Sequence, residues 1–140
     1  RSTANNWRFL WKVMEVEVGQ PTDVLGHSVT TTEVLHYSGA PSTALRLSDT
    51  KALFAYSGDT AWVETLPSVA DGADLFIVEC YSYSGPMTGH LTWEVLKPRL
   101  PDLRARRIML THMNPTMLAR LDEVRAAGVL AAEDGAVLEF

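Results

Sequence analysis

The rhythm of this chain changes once, at Tyr56, and that change limits the folds open to it. Before it, stretches with strand character follow one another across short polar connections. Met14, Val16 and Val18 alternate with Glu15 and Glu17, the period-two pattern of a half-buried strand that starts near Trp7. After the turn Gly19-Gln20-Pro21, the β-branched residues Val29, Thr30, Thr31, Thr32 and Val34 predict a strand over 28–36, and further strands are expected over 44–47 and 52–56. Past Tyr56, strands alternate with helices. A helical segment is expected over 61–70, with Pro67 in a first-turn position, and an apolar strand over 75–80. A polar Gly/Pro-marked loop at 81–89 precedes a helix over 91–103 that Pro98 and Pro101 disturb, then a strand over 107–110 and a helix over 115–127 capped by Asn114. Residues 129–140 read as a hairpin turned by Asp134-Gly135, and His27, beside Gly26, reads as a loop residue.

A meander followed by strand-helix alternation implies an α+β fold, a mixed sheet covered by helices on one face. The other face is also apolar and wants a partner layer. The chain has 140 residues, the size of one domain or part of one. No apolar run reaches the ~20 residues that span a bilayer, so no membrane partner is expected. The net charge of −5 supplies no basic footprint for long nucleic acids, and Arg104, Arg106 and Arg107 read as a solvated connection. The single cysteine, Cys80, has no internal partner and sits in an apolar strand, so it reads as core and the compartment as cytoplasmic. A chain opening on Arg1 reads as a fragment or a processed product.

Two loops place a metal-capable side chain just past a strand, where open sheets expose their ligand sites. One is Ser57-Gly58-Asp59-Thr60, in which Gly58 allows a sharp turn, the Asp59 carboxylate can bridge cations and Thr60 can cap the following helix; the other is Thr111-His112-Met113-Asn114. An ordinary strand-to-helix turn and a structural histidine are the plain alternatives. Glu79 lies in the apolar run Phe76-Ile77-Val78-Glu79-Cys80, and a carboxylate there is costly to bury without a partner. His90 is a candidate general acid or anion contact, with an exposed loop histidine as the alternative, and His36 a candidate group on the substrate side.

Taken in order, Ser-Gly-Asp-Thr at 57–60, the Glu-ending strand at 79, Gly-His-Leu-Thr at 89–92 and Leu-Thr-His-Met at 110–113 resemble the second half of the metallo-β-lactamase superfamily, in particular its ribonuclease Z-like branch. The resemblance covers about residues 28–140. It implies the C-terminal half of one αββα sandwich domain over 1–140 and a metal-dependent hydrolase of phosphodiester bonds. It further implies that Asp59 bridges two zinc ions, or manganese or iron, that His112 completes the second site, and that His90, oriented by Glu79, assists the leaving group. His36 matches the histidine before a Tyr-Gly-Tyr-Arg-like strand, seen loosely here as Thr43-Ala44-Leu45-Arg46. The implied partners are a small-molecule or nucleotide phosphodiester, a missing N-terminal half and a second copy in a homodimer.

The chain departs from the family pattern in one respect. His27, His36, His90 and His112 do not form the His-x-His-x-Asp-His run that supplies the first metal ligands. With about two ligands where a dinuclear site needs roughly seven, the chain alone is expected to be inactive. A non-catalytic scaffold half is the rival reading, and a ligand-binding regulatory domain a third.

Overall fold

The structure, a computed structural model, describes residues 13–140. Its centre is one seven-stranded sheet in which spatial order follows chain order. β1 (Thr22–Val24), β2 (His27–Val34), β3 (Ser42–Ser48) and β4 (Leu53–Tyr56) form an antiparallel meander. β5 (Leu75–Glu79), β6 (Ile108–Thr111) and β7 (Leu130–Ala131) then add in parallel to β4. Because two antiparallel steps separate β2 from β4, β2 also points the same way. Five strands, β2, β4, β5, β6 and β7, therefore present their carboxyl ends at one rim.

Helices cover a single face. α1 (Leu66–Ala70) joins β4 to β5, α2 (Trp93–Leu96) continues into a 3-10 turn at Lys97–Asp102, and α3 (Pro115–Leu118) and α4 (Leu121–Ala126) lead into β7. Side chains on a strand alternate between faces. Ala55, Phe76, Val78 and Leu110 accordingly meet Leu66, Trp93, Met117 and Val124 in a core from which solvent is nearly excluded. Each such large apolar side chain contributes about 1.5–3 kcal/mol. Arg46 ties α1 to β3 by donating from one guanidinium nitrogen to the carbonyls of Ser68, Val69 and Asp71 at 3.0, 2.6 and 2.9 Å, satisfying groups that a helix end leaves without partners.

The alternate residues form the face without helices, on which Phe140 of the tail packs edge to face against Phe54 at 4.9 Å. Register aligns Leu47 with Phe54 and Phe54 with Leu75, and Leu45 with Tyr56, Ile77 and Met109. These apolar rows carry no helix, and Leu45, Leu47, Phe54, Tyr56 and Ile77 stay half-buried.

Several expected boundaries move. Residues 13–17 form no strand, and the part of that expectation on residues 7–12 lies outside the described residues. Val13 and Met14 stay exposed, so the alternating pattern finds no surface to cover. The first strand is instead Thr22–Val24, paired with β2 through the turn at Leu25-Gly26, which puts His27 in a strand rather than a loop. The helix expected over 61–70 is confined to α1, with its proline in the first turn. Pro98 and Pro101 convert the second half of the 91–103 helix into the 3-10 turn. The helix expected over 115–127 breaks at Arg120 (φ −122°, ψ 18°), whose guanidinium stacks 4.9 Å over the Tyr83 ring. The C-terminal hairpin does not form: β7 pairs with β6, and the tail runs back to Arg107, which donates to the Glu139 carbonyl and stacks on Phe140.

Candidate metal centre

The rim collects the chemistry. Asp59 follows β4, Glu79 ends β5, His112 follows β6, His36 lies two residues past β2, and His90 stands in the loop between β5 and α2. Strand directions alone would bring the first four to one edge. The loops bring them close.

The turn after β4 can be made only by glycine. Gly58 has φ +62°, and a Cβ there would lie 2.8 Å from the Thr43 carbonyl oxygen. Two fully buried hydroxyls fix the turn around Asp59. Ser57 Oγ accepts the Glu79 amide at 2.9 Å, and Thr60 Oγ1 accepts the Leu35 amide at 3.1 Å. Thr60 does not cap α1, which begins at Leu66; its hydroxyl is spent beside His36 instead.

Glu79 is wholly shielded from water. Its Oε1 accepts the Thr60 amide at 2.7 Å and faces His90 Nδ1 at 2.9 Å, while Oε2 is buried with no hydrogen-bond partner. Burial pushes its carboxyl above the ordinary carboxylate range, against the downward pull of the Thr60 amide and the His90 imidazole. The phenol of Tyr56 is likewise raised, by burial first and by the charges of Asp59 and Glu79 second.

Both inner imidazoles have one nitrogen engaged. His36 Nδ1 lies 2.9 Å from the Gly89 carbonyl, which only accepts, so Nδ1 carries the proton and Nε2 keeps its lone pair. A carboxylate at His90 Nδ1 fixes that ring in the same tautomer. The His36 and His90 rings meet edge to face at 4.8 Å, and Tyr81 tilts against both His90 and His112 at 5.2 and 5.4 Å. His112 Nε2 lies 3.7 Å from Asp59 Oδ2, on a backbone with φ +57° that a side chain rarely adopts.

One ring nitrogen each of His36 and His90 and one carboxylate oxygen of Asp59 lie within 4.8 Å of one another. Imidazole nitrogens and a carboxylate are a donor set that divalent transition metals take, so the residues present fit such an ion. Sequence reasoning named Asp59, His90, His112, His36 and Glu79 but missed Ser57, Tyr81 and the Gly89 carbonyl. Only the glycine before His90 carried a signal for the last.

The model of the beta-lactamase superfamily domain matches residues 3–113, which reach one residue past His112. The chain belongs to the beta-lactamase superfamily. No curated protein matches it in sequence. Among solved structures, the superfamily chain is similar to the metallo-beta-lactamase fold protein YhfI from Bacillus subtilis, with a TM-score of 0.78 and 22% identity over 92% of this chain and 56% of that one. It is also similar to a diphosphatase from the PhnP family (TM-score 0.69, 21% identity, 87% of this chain and 47% of that) and to the short form of human tRNase Z (0.63, 24%, 84% and 45%). The fold is thus the α+β metallo-β-lactamase fold, and the chain spans about half the length of these structures. Among the described residues no helix is long and apolar enough to cross a membrane.

Proposed function

We propose that this superfamily domain supplies one side of a dinuclear, zinc-dependent phosphodiesterase centre of the ribonuclease Z-like kind, and that an N-terminal half, packed on the apolar rows of the face without helices, supplies the remaining ligands. The observation that carries the reading is the convergence at one rim of Asp59, His112, His36 and the Glu79–His90 pair, with both inner imidazoles held by Nδ1. Asp59 would bridge the two ions and His112 would complete the second site. Bound zinc, or manganese or iron, supplies Lewis-acid stabilisation and activation of water at neutral pH.

The chain's own residues do the rest. His90 delivers a proton from Nε2 to the leaving oxygen, and the Glu79 carboxylate at Nδ1 orients the ring and stabilises its protonated form, a contribution of about 10²–10⁴-fold in rate. His36 stands on the substrate side, where its unprotonated Nε2 can accept a hydrogen bond from a substrate hydroxyl. The net charge of −5 disfavours a long polyanion, so a small-molecule or nucleotide phosphodiester is favoured over transfer RNA. The neighbours' names, a diphosphatase and a tRNase, agree with phosphate chemistry. The lone buried Cys80, its thiol pushed up to about 12 by burial, suits a cytoplasmic protein.

The test is to express the coding region together with its upstream sequence and to measure zinc content and hydrolysis of bis(4-nitrophenyl) phosphate and cyclic nucleotides. Two zinc ions per chain and turnover that falls by about 10²–10⁴-fold in His90→Ala are expected. A metal-loaded protein that cleaves no phosphodiester, or an Asp59→Ala variant that keeps both metal and rate, refutes the proposal.

A further inference from the structure

We infer that the 140-residue chain, with nothing upstream, holds one divalent transition-metal ion between His36, Asp59 and His90. This goes beyond the proposed function, because it needs no ligand outside the chain and no turnover, and it uses a different set of histidines from the Asp59–His112 pair.

Three observations support it. The first is proximity: donor atoms of these three residues, carried by the loops after β2, after β4 and before α2, lie within 4.8 Å of one another. In a tetrahedral zinc site, bonds of about 2.0–2.1 Å put ligand atoms roughly 3.3 Å apart. Closure by roughly 1.5 Å is therefore needed, at three side chains that are half-buried rather than sealed in the core.

The second is orientation. The Gly89 carbonyl holds His36 Nδ1 and the Glu79 carboxylate holds His90 Nδ1, each at 2.9 Å, so the nitrogen left on each ring is Nε2. A metal-bound imidazole almost always rests its other nitrogen on such a carbonyl or carboxylate, which fixes the tautomer and raises ligand basicity. Here both rests are in place. Gly89 and His90 are adjacent, so one short loop sets both rings. A Cβ at Gly89 would lie 3.2 Å from His36 Nδ1, which leaves the glycine little room for replacement.

The third is donor chemistry. Two neutral imidazoles and one carboxylate leave a divalent ion with net charge +1 and a fourth position for water, an arrangement that suits zinc, cobalt or iron. No thiolate competes, since Cys80 is buried. His112 stands 3.7 Å from Asp59 on a left-handed backbone. When upstream ligands enlarge the centre on the Asp59–His112 side, His90 is released to act on substrate.

The experiment uses the chelator-stripped 140-residue chain, titrated with zinc by calorimetry and with cobalt by visible absorption. One equivalent per chain is expected, with the absorption of a four- or five-coordinate site. His36→Ala and His90→Ala should each weaken binding by more than about 100-fold, Glu79→Gln by about 10–100-fold, and His27→Ala not at all. If a variant loses its fold, the wild-type chain still decides: in long-range proton–nitrogen spectra, zinc should shift Nε2 of His36 and His90 and leave His112 in place. Shifts at His112 without His36, or no uptake by a chain whose circular dichroism is unchanged, overturn the inference. Either result leaves intact the two-ion reading, which stands or falls on turnover by the longer protein.

Discussion

The two ends of the parallel strands differ in how they handle polar groups. At the carboxyl ends, the buried hydroxyls of Ser57 and Thr60 and the sealed carboxylate of Glu79 bond backbone amides and an imidazole across elements distant in sequence. At the amino ends, Asp71 pairs with Arg104 at 3.0 Å and Asp74 with Arg106 at 3.8 Å, with both arginines in water. Exposed pairs of that kind are worth little, whereas a buried donor or acceptor without its partner is expensive. The same sheet is thus tolerant at one end and exacting at the other.

The contrast is sharpest between two glycines, both with positive φ. Gly58→Ala sets a Cβ against the Thr43 carbonyl, while at Gly72 (φ +70°) nothing lies within 4 Å. Gly58→Ala should cost about 3 kcal/mol or more and Gly72→Ala about 1–2 kcal/mol, read from urea midpoints; equal losses would erase the distinction. His112→Gly should move the other way. Relief of the left-handed backbone stabilises the fold by about 1 kcal/mol, and a loss of stability would show that the imidazole contributes more packing than strain.

Glu123 tests the outer wall of the exacting end through pH. Lys97, then Trp93 and Tyr83, bond its carboxylate and hold it down at about 2. A group depressed on folding stabilises above its ordinary value near 4.5, and that contribution fades as pH falls toward 2. Glu123→Gln should therefore flatten the acid limb of the stability curve between those values; an unchanged limb would clear this network of any part in it. The smallest effect belongs to the tolerant end, where Arg104→Ala should change stability by less than about 0.5 kcal/mol and remove little salt dependence.

Much of this architecture was legible in the sequence. β2 to β6 follow β-branched and apolar runs whose pattern survives any detail of packing. β1 was hidden because its three residues, Thr22, Asp23 and Val24, are too few to show a period, and the alternation at Met14–Val18 misled because alternation records a side-chain pattern and not the presence of a partner strand. Of the rim, side chains with distinctive chemistry could be named from the sequence. The Gly89 carbonyl, the Ser57 hydroxyl and the Tyr81 ring could not, since their importance comes from contacts across as many as 53 residues of chain, as from His36 to Gly89.

Chain order and spatial order coincide throughout the sheet. No strand has to be threaded between two others already laid down, so each can dock as soon as it is made. Loop closures stay local in the meander, whereas each parallel step from β4 to β7 closes over a longer crossover and forms more slowly, and the rim becomes complete only when β6 arrives and carries His112 into place.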